Sequence, residues 1–576
     1  MDNKIIADML GEIASMLSLD ERPVARFEVR AYQKAALTIG TLQEAVEDIY
    51  KRDGVAGLMK LPGIGKGIAG SIEEYIKTGR MEKYDYLKKK YPIDMKGLTE
   101  VEGLGAKKAV ALYKQLGVKT VEDLKKAVDS HKISKLPGFG EKSEQTLKRG
   151  IEVKETRKGR LLLGDGLPVA ESIVDKLMKS GLVQKAMIAG SARRMRETVG
   201  DLDILALSNK GSEVMDFFTK ISEVSDVVAK GPTRTAVNLK IGLNCDLRVI
   251  PPESFGAALQ YFTGSKDHNV QVRTISVNMG YKLNEYGIYD KKGKIIPTKD
   301  EEEIYEKLGM QYIPPEMREA RGEVKLAQAR KIPKLIELKD IKGDMHTHTK
   351  DSDGANTIEE MAEAAMAAGL EYFATTNHTK SLIIANGMNE KQFETYFKKV
   401  DKLNDSLEGK IRILKGAEVD ILKDGSLDLS DKCLKSMDCV VGGVHSYFKM
   451  PESEMTARIA KALDTGLVNI LAHPTGREIN VREQYALDMD KTFEAAERNK
   501  VALEINSFPS RLDLNDTNIM KASHYKVNFS IGTDAHRTSH FGFIRYGVGT
   551  ARRGWLTKDR IINTRSAKEI IKILAK

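Results

Sequence analysis

Along roughly the first 155 residues the apolar positions fall in short helical stretches, beginning with the amphipathic, acidic run MDNKIIADMLGEIASMLSL. Three related phrases punctuate them: LPGIGKGIA at 61–69, VEGLGAKKA at 101–109 and LPGFGEKSE at 136–144, an internal repeat of a hairpin. From about residue 160 the pattern changes to strand-like apolar runs such as KAMIAGS and DLDILALS between amphipathic segments, until PTKDEEEIYEKLGMQYIPPEMRE closes a region near 320. Residues 321–340 are charged and helix-prone, lack glycine after Gly322, and predict a linker. Beyond Ile341 seven apolar runs each end in ligand-type residues: IKGDMHTH, EYFATTNH, RILKGAEVD, CVVGGVHS, VNILAHP, VALEINS and VNFSIGTDAH. Helical stretches such as TIEEMAEAAMAAG separate most of them. Strand-helix units with functional side chains at the strand ends predict a barrel related to the (β/α)₈ type.

Composition adds bounds. At 576 residues, 41% apolar and 30% charged, the chain exceeds one core and reads as several soluble, globular domains. Lys and Arg number 92 against 82 Asp and Glu, and the formal charge of +10 favours a polyanionic partner, although a Lys-rich proteome would also produce it. No run of about 18 apolar residues is present, and the N-terminus lacks the basic start and cleavage site of a signal peptide, so a cytoplasmic protein with no membrane association is expected. Cys245, Cys433 and Cys439 form no CxxC spacing and predict reduced, mostly buried thiols. Nothing resembles a coiled coil, which leaves a monomer as the expectation.

In each N-terminal phrase the paired glycines, Gly63 and Gly65, Gly103 and Gly105, Gly138 and Gly140, permit a tight turn and expose backbone N–H groups at a helix start, where phosphate oxygen is the natural partner. One copy could merely turn a corner; three in a basic chain favour phosphate. The phrases resemble helix-hairpin-helix motifs, which bind DNA backbone without reading its sequence.

The central motif is GSARRMRETVGDLDILALS, at 190–208. Asp201 and Asp203 stand two apart in an apolar run, so a strand would aim both at one spot, and LNCDLRVIP supplies Asp246 in similar surroundings. Three such carboxylates call for divalent cations, and two Mg²⁺ or Mn²⁺ ions about 4 Å apart would suit phosphoryl transfer. Upstream, Gly190 and Ser191 permit close approach of a phosphate, with Arg193 and Arg194 as an arginine fork for a triphosphate.

These residues resemble the family X nucleotidyltransferases over roughly residues 1–320, and DNA polymerase beta is a member of that family. The resemblance implies that Asp201, Asp203 and Asp246 bind the catalytic metals, with Asp246 near the primer 3′-hydroxyl, that Gly190, Ser191, Arg194 and Gly200 belong to the nucleotide site, and that dNTPs and gapped or nicked duplex DNA are the substrates. In QYFTGSKDHNVQVR it assigns Tyr261, Phe262 and Gly264 to the incoming sugar, Asn269 to a minor-groove contact and Arg273 to a template contact; ordinary core aromatics are the other reading of Tyr261 and Phe262. The sequence departs from the family where the Schiff-base lysine would stand: Ser71 occupies that position and Gly67 that of a phosphate-binding lysine, so conventional 5′-deoxyribose phosphate lyase activity is not expected despite nearby Lys66.

Eight of the ten histidines follow Ile341. The candidate ligands are His346, His348, Asp353, His378, Glu418, His445, His473, Asp534 and His536, a nitrogen and oxygen set without cysteine that suits Mn²⁺, Zn²⁺ or Fe²⁺ sharing bridging carboxylates. HTHTKDSDG and TDAH resemble the opening and closing phrases of the PHP phosphoesterase domain. The resemblance implies up to three metal ions, hydrolytic attack on phosphorus, and 3′-to-5′ exonuclease with 3′-phosphatase or abasic endonuclease activity. Asn377 stands where related domains often have Asp. His524 and His540 fall outside the pattern, and Arg477 suits either a phosphate contact or a salt bridge.

The fold expected is therefore multidomain, α+β and α/β. Helix-hairpin-helix regions occupy 1–80 and 81–158, a nucleotidyltransferase palm 159–252, a nucleotide-selecting subdomain 253–320, the linker 321–340 and a distorted (β/α)₇ PHP barrel 341–576. The function that unites these parts is gap filling with 3′-end processing in base-excision repair. A nuclease with a DNA-targeting module leaves the three aspartates unexplained, a small-molecule phosphatase leaves the hairpins unexplained, and a non-catalytic scaffold explains neither carboxylate cluster.

Overall fold

A computed structural model divides the chain into two compact units, Met1–Lys158 and Gly159–Lys576. The structure describes residues 3–18, 25–42, 46–99, 101, 103–157 and 160–575. Among them no helix is long and apolar enough to cross a membrane.

The first unit is helical and holds two apolar clusters. Around Ile6, Leu10, Ile13, Leu58, Ile68 and Ile72 pack α1 (Asn3–Leu17), α2 (Ala25–Thr41), α3 (Val46–Met59) and α4 (Lys66–Thr78). Leu98, Leu104, Leu112, Leu124 and Leu147 centre the other cluster, which includes α5 (Ala106–Leu116) and α6 (Glu141–Arg157). The repeat recurs as one geometry. Gly63, Gly103 and Gly138 take φ of 79°, 83° and 84°, a left-handed turn that other residues reach only with strain. Gly65, Gly105 and Gly140 then lead directly into α4, α5 and α6, and each accepts a hydrogen bond from the N–H four residues on.

In the second unit, α7 (Leu163–Lys179) precedes a five-stranded sheet of β1 (Lys185–Ile188), β2 (Asp201–Leu207), β3 (Val224–Lys230), β4 (Arg234–Leu239) and β5 (Asn244–Ile250), in the order β1-β2-β5-β4-β3. Only β2 and β5 run parallel, with Asp203 in register with Asp246. Helices α8 (Phe255–Thr263) and α9 (Lys266–Asn278) follow, with a small antiparallel sheet over 282–296.

Residues 321–340 do not form a free linker. Helix α10 (Glu323–Gln328) buries Glu323, Val324 and Ala327, and Glu323 bonds His268 Nδ1 at 2.7 Å, so the segment is anchored by one buried charge while Lys325, Arg330, Lys331, Lys334 and Lys339 stay exposed. Seven parallel strands then succeed one another in sheet order: β6 (Gly343–Thr347), β7 (Tyr372–Thr375), β8 (Arg412–Asp420), β9 (Cys439–Gly443), β10 (Ile470–Leu471), β11 (Ala502–Asn506) and β12 (Phe529–Gly532). A parallel bridge between Thr347 and Ala535 nearly closes the ring. Helices α11 (Asp516–Ala522) and α12 (Ile544–Arg553) flank β12 in sequence. Leu512 and Tyr546 from this region are buried in the apolar cluster of the five-stranded sheet, so barrel and sheet share a core.

Candidate functional site

Asp201 and Asp203 lie on one face of β2, with Leu202 and Ile204 turned into the core. Burial, with like charge from Asp201 and Asp246, pushes the Asp203 carboxyl up to about 6. A divalent cation would relieve that repulsion, which is the physical fit of this site to metal. Asp246 faces Arg234, whose Nε and Nη2 each donate to it at 3.2 Å.

Beside Asp201 and Asp203 opens a pocket of about 680 Å³, and Gly190, Ser191, Arg194, Tyr261, Phe262, Gly264, Asn269 and Arg273 all line it. Ser191 Oγ is buried without a hydrogen-bond partner, a donor suited to an acceptor that the protein does not supply. Arg248 stacks 4.4 Å from the Phe262 ring centroid, and Asn269 is held by Gln260 and the Tyr261 carbonyl at 2.8 and 2.7 Å. Asp246 and Gly200 do not line the pocket. Nor does Arg193, so the fork expected from the sequence is divided: Arg193 turns to Glu301 with two contacts of 2.8 Å, while Arg194 stays at the pocket wall. Arg160, Arg196 and Lys266 also line the pocket, cations that the motif reading did not single out.

In the barrel all nine expected ligands gather at the C-terminal ends of the strands. Glu418 is central: Oε1 lies 2.9 Å from His445 Nε2 and 2.8 Å from His473 Nε2, and Oε2 lies 3.3, 3.5 and 3.1 Å from His346, His348 and His378. Asp534 Oδ1 approaches His348 Nε2 at 3.3 Å, and Asp353 Oδ2 approaches His536 Nε2 at 3.2 Å. Three groups have ligand atoms close enough to share an ion: His348, Asp353, His378 and His536; His346, His348 and Asp534; and His378, Glu418 and His445. Buried nitrogens of His346, His348, His378, His445 and His473 make no hydrogen bond, as ligand atoms in wait of a cation would. Burial opposes ionisation of Glu418, but His445, His378 and His346 outweigh it and hold the carboxyl well below the ordinary range.

The strand that bears none of the nine expected ligands, β11, contributes Glu504 instead. It is 1% exposed, bonds His346 Nδ1 at 2.7 Å, and accepts from the His473 backbone N–H at 2.6 Å. VALEINS already stood among the ligand-bearing runs without a ligand of its own, and that gap was the available signal. Asn377 keeps a supporting role despite replacing Asp: its Oδ1 accepts from Thr349 N–H and Ser352 Oγ at 2.8 and 2.9 Å, fixing the loop that carries Asp353. His540 Nδ1 accepts from the His536 N–H at 3.3 Å, whereas His524 is exposed. Arg477 forms a salt bridge, 2.8 Å from Glu197. In α4, Ser71 Oγ donates to the Gly67 carbonyl at 3.2 Å and offers no amine.

Fold and sites together define a nucleotidyltransferase that shares its core with a PHP-type phosphoesterase. Residues 258–319 match the DNA polymerase beta thumb family, 344–508 the PHP domain, 1–81 a helix-hairpin-helix domain and 95–152 a SAM-like helix-hairpin-helix tandem. The chain is 38% identical over 574 residues, 99% of each chain, to the DNA polymerase/3′-5′ exonuclease PolX of Bacillus subtilis (strain 168). Part of it is 31% identical over 232 residues to a probable phosphatase of Thermoanaerobacter sp. (strain X514), covering 38% of this chain and 89% of that one. A probable phosphatase of Acetivibrio thermocellus is 31% identical over 208 residues, 34% of this chain and 81% of the relative. The chain belongs to the PolX family, family X DNA polymerases that carry a PHP domain.

Proposed function

We propose that this protein fills short gaps in duplex DNA during base-excision repair and trims 3′ ends at its PHP site. The observation that carries the reading is the register of β2 and β5, which sets Asp203 opposite Asp246 beside a pocket with an unpaired serine hydroxyl. The hairpins hold the DNA backbone through the amides at the starts of α4, α5 and α6. Ser191 and Arg194 take the triphosphate of a dNTP, while Tyr261, Phe262 and Gly264 crowd its sugar and favour deoxynucleotides. The primer 3′-hydroxyl attacks the α-phosphorus, a new P–O bond forms, and pyrophosphate leaves. Asp201, Asp203 and Asp246 would hold two Mg²⁺ or Mn²⁺ ions, which supply charge neutralisation and activation of the attacking oxygen.

At the PHP site the nine ligands would hold up to three Mn²⁺, Zn²⁺ or Fe ions, supplying Lewis acidity for phosphodiester hydrolysis. Glu504 orients His346 and His473, and Asn377 orders the Asp353 loop. Removal of a 3′-phosphate is a second activity of the same site, favoured by the likeness to probable phosphatases.

A labelled duplex with a one-nucleotide gap, incubated with Mg²⁺ or Mn²⁺ with and without dNTPs, tests both activities. Asp203→Ala is expected to stop extension and spare 3′ degradation, and His346→Ala to do the reverse. Degradation without any extension by the wild type would overturn the polymerase reading.

A further inference from the structure

Arg553, the last residue of α12, belongs to the barrel in sequence but spends its hydrogen bonds on the nucleotide pocket. It is 4% exposed. Nη1 donates to the Arg194 backbone carbonyl and to Glu319 Oε1, both at 2.8 Å, and Nη2 donates to Asp516 Oδ2 of α11 at 2.5 Å. The same Glu319 oxygen accepts from Arg194 Nε at 3.1 Å, so one carboxylate joins the barrel arginine to the pocket arginine. Arg194 Nη1 donates in turn to the Thr263 carbonyl at 2.5 Å. With Nε and one N–H of Nη1 committed, the second N–H of Nη1 and the two of Nη2 remain for a ligand.

Two further contacts from the barrel fall on the same loop. Met195, at φ 52°, packs so closely on Gly549 of α12 that a Cβ there would come within 2.5 Å of Met195 Cε. Glu197 pairs with Arg477 at 2.8 Å. Residues 194, 195 and 197 are thus each gripped from the barrel side, and Ser191 and Arg194 sit on the segment so held. A long, flexible arginine ordered before its ligand arrives loses less conformational freedom on binding, and a fixed guanidinium reads phosphate geometry better than a mobile one.

We propose that Arg553 is a positioning residue of the polymerase site: through Glu319 and the Arg194 carbonyl, the barrel presets Arg194 for the triphosphate. The proposal rests on reading the pocket as the dNTP site. It makes the barrel a working part of synthesis, in addition to its own hydrolytic chemistry.

The full-length protein tests it, with steady-state filling of a one-nucleotide gap and exonuclease on a single-stranded oligonucleotide measured on the same preparations. Arg553→Ala is expected to raise the KM for dNTP tenfold or more, with the KM for gapped DNA and the exonuclease rate within twofold of wild type. Arg553→Lys, which restores one donor and the charge, is expected to recover part of the loss. Arg194→Ala calibrates the pocket: if it raises the KM for dNTP while Arg553→Ala leaves it within twofold, the positioning role is overturned. If Arg194→Ala itself changes nothing, the pocket reading fails first and the proposal with it. Should Arg553→Ala lose the exonuclease as well, Glu319→Ala removes the shared acceptor from the polymerase side; a raised KM supports the proposal and an unchanged one overturns it.

Discussion

Gly190 approaches Asp203 so closely that a Cβ on the glycine would stand 2.3 Å from Asp203 Oδ2. With φ at 61°, Gly190 also holds a backbone conformation that side chains resist, so the turn carrying Ser191 and the carboxylate of β2 are fitted to one another. Gly190→Ala must push Asp203 aside or open the turn. Displacement on this scale costs about 100-fold in a reaction that depends on alignment. The expected result is loss of gap filling of that order, with exonuclease activity retained; filling at the wild-type rate would remove the glycine from the site.

Glu504 bonds His346 Nδ1 and the His473 backbone N–H without being among the nine expected ligands. Glu504→Gln keeps its size but loses the charge that fixes His346 Nδ1. Loss of such an outer partner typically weakens metal affinity roughly 10- to 100-fold. Titration of the metal-stripped protein with Mn²⁺ should show a weakening of this size and a parallel fall in exonuclease activity. Wild-type affinity in the variant would leave Glu504 as packing alone.

What the sequence made legible is what short-range periodicity encodes. The spacing of Asp201 and Asp203 implies a shared strand face, and the three GxG phrases imply three equivalent turns; φ values near 80° at Gly63, Gly103 and Gly138 follow from the same local logic. Strand ends rich in His and Asp likewise foretold the side-chain cluster that gathers at one end of the barrel. Pairings between distant residues were not legible. Glu323 in a charged stretch looks solvated until His268, 55 residues earlier, is seen to bury it. Arg193 and Arg194 are adjacent and alike in sequence, yet Glu301, 108 residues away, takes one of them from the pocket. Composition records charges but not their partners.

Glu301 illustrates how such a pairing bears on stability. It is 3% exposed and bonds both Arg193 and Arg318, the latter fully buried. Burial favours the neutral carboxyl, but Arg318 and Arg193 prevail and hold Glu301 far below its ordinary value of 4.5. Because the folded pKa is depressed, the stabilisation is complete above the unfolded value and is lost as pH falls through the folded one. Glu301→Gln, which leaves buried arginine charge uncompensated, should cost about 3–5 kcal/mol at pH 7. Denaturant unfolding should show the difference between variant and wild type shrinking as pH is lowered from 5 towards 3; a difference independent of pH would place the cost in packing rather than charge.

The hairpins allow DNA binding to be separated from folding. A Cβ on Gly105 would meet nothing within 4 Å, and its φ of −72° and ψ of 163° suit any residue. It is also the N-cap of α5, with no side-chain cap, and Asp is among the best N-cap residues, better than Gly by roughly a few tenths of a kcal/mol. Gly105→Asp should therefore leave thermal stability unchanged or raised. The same carboxylate would stand where the helix amides await a phosphate, and would repel it. Binding to gapped duplex should weaken about equally across sequences, because backbone contacts carry no base information. Gly140→Asp, at the equally open start of α6, should behave alike, and the double variant should lose more. Fluorescence anisotropy over a range of salt, paired with thermal unfolding, measures both effects. Undiminished affinity in the double variant would mean that these two hairpins only turn corners, and that the DNA is held elsewhere.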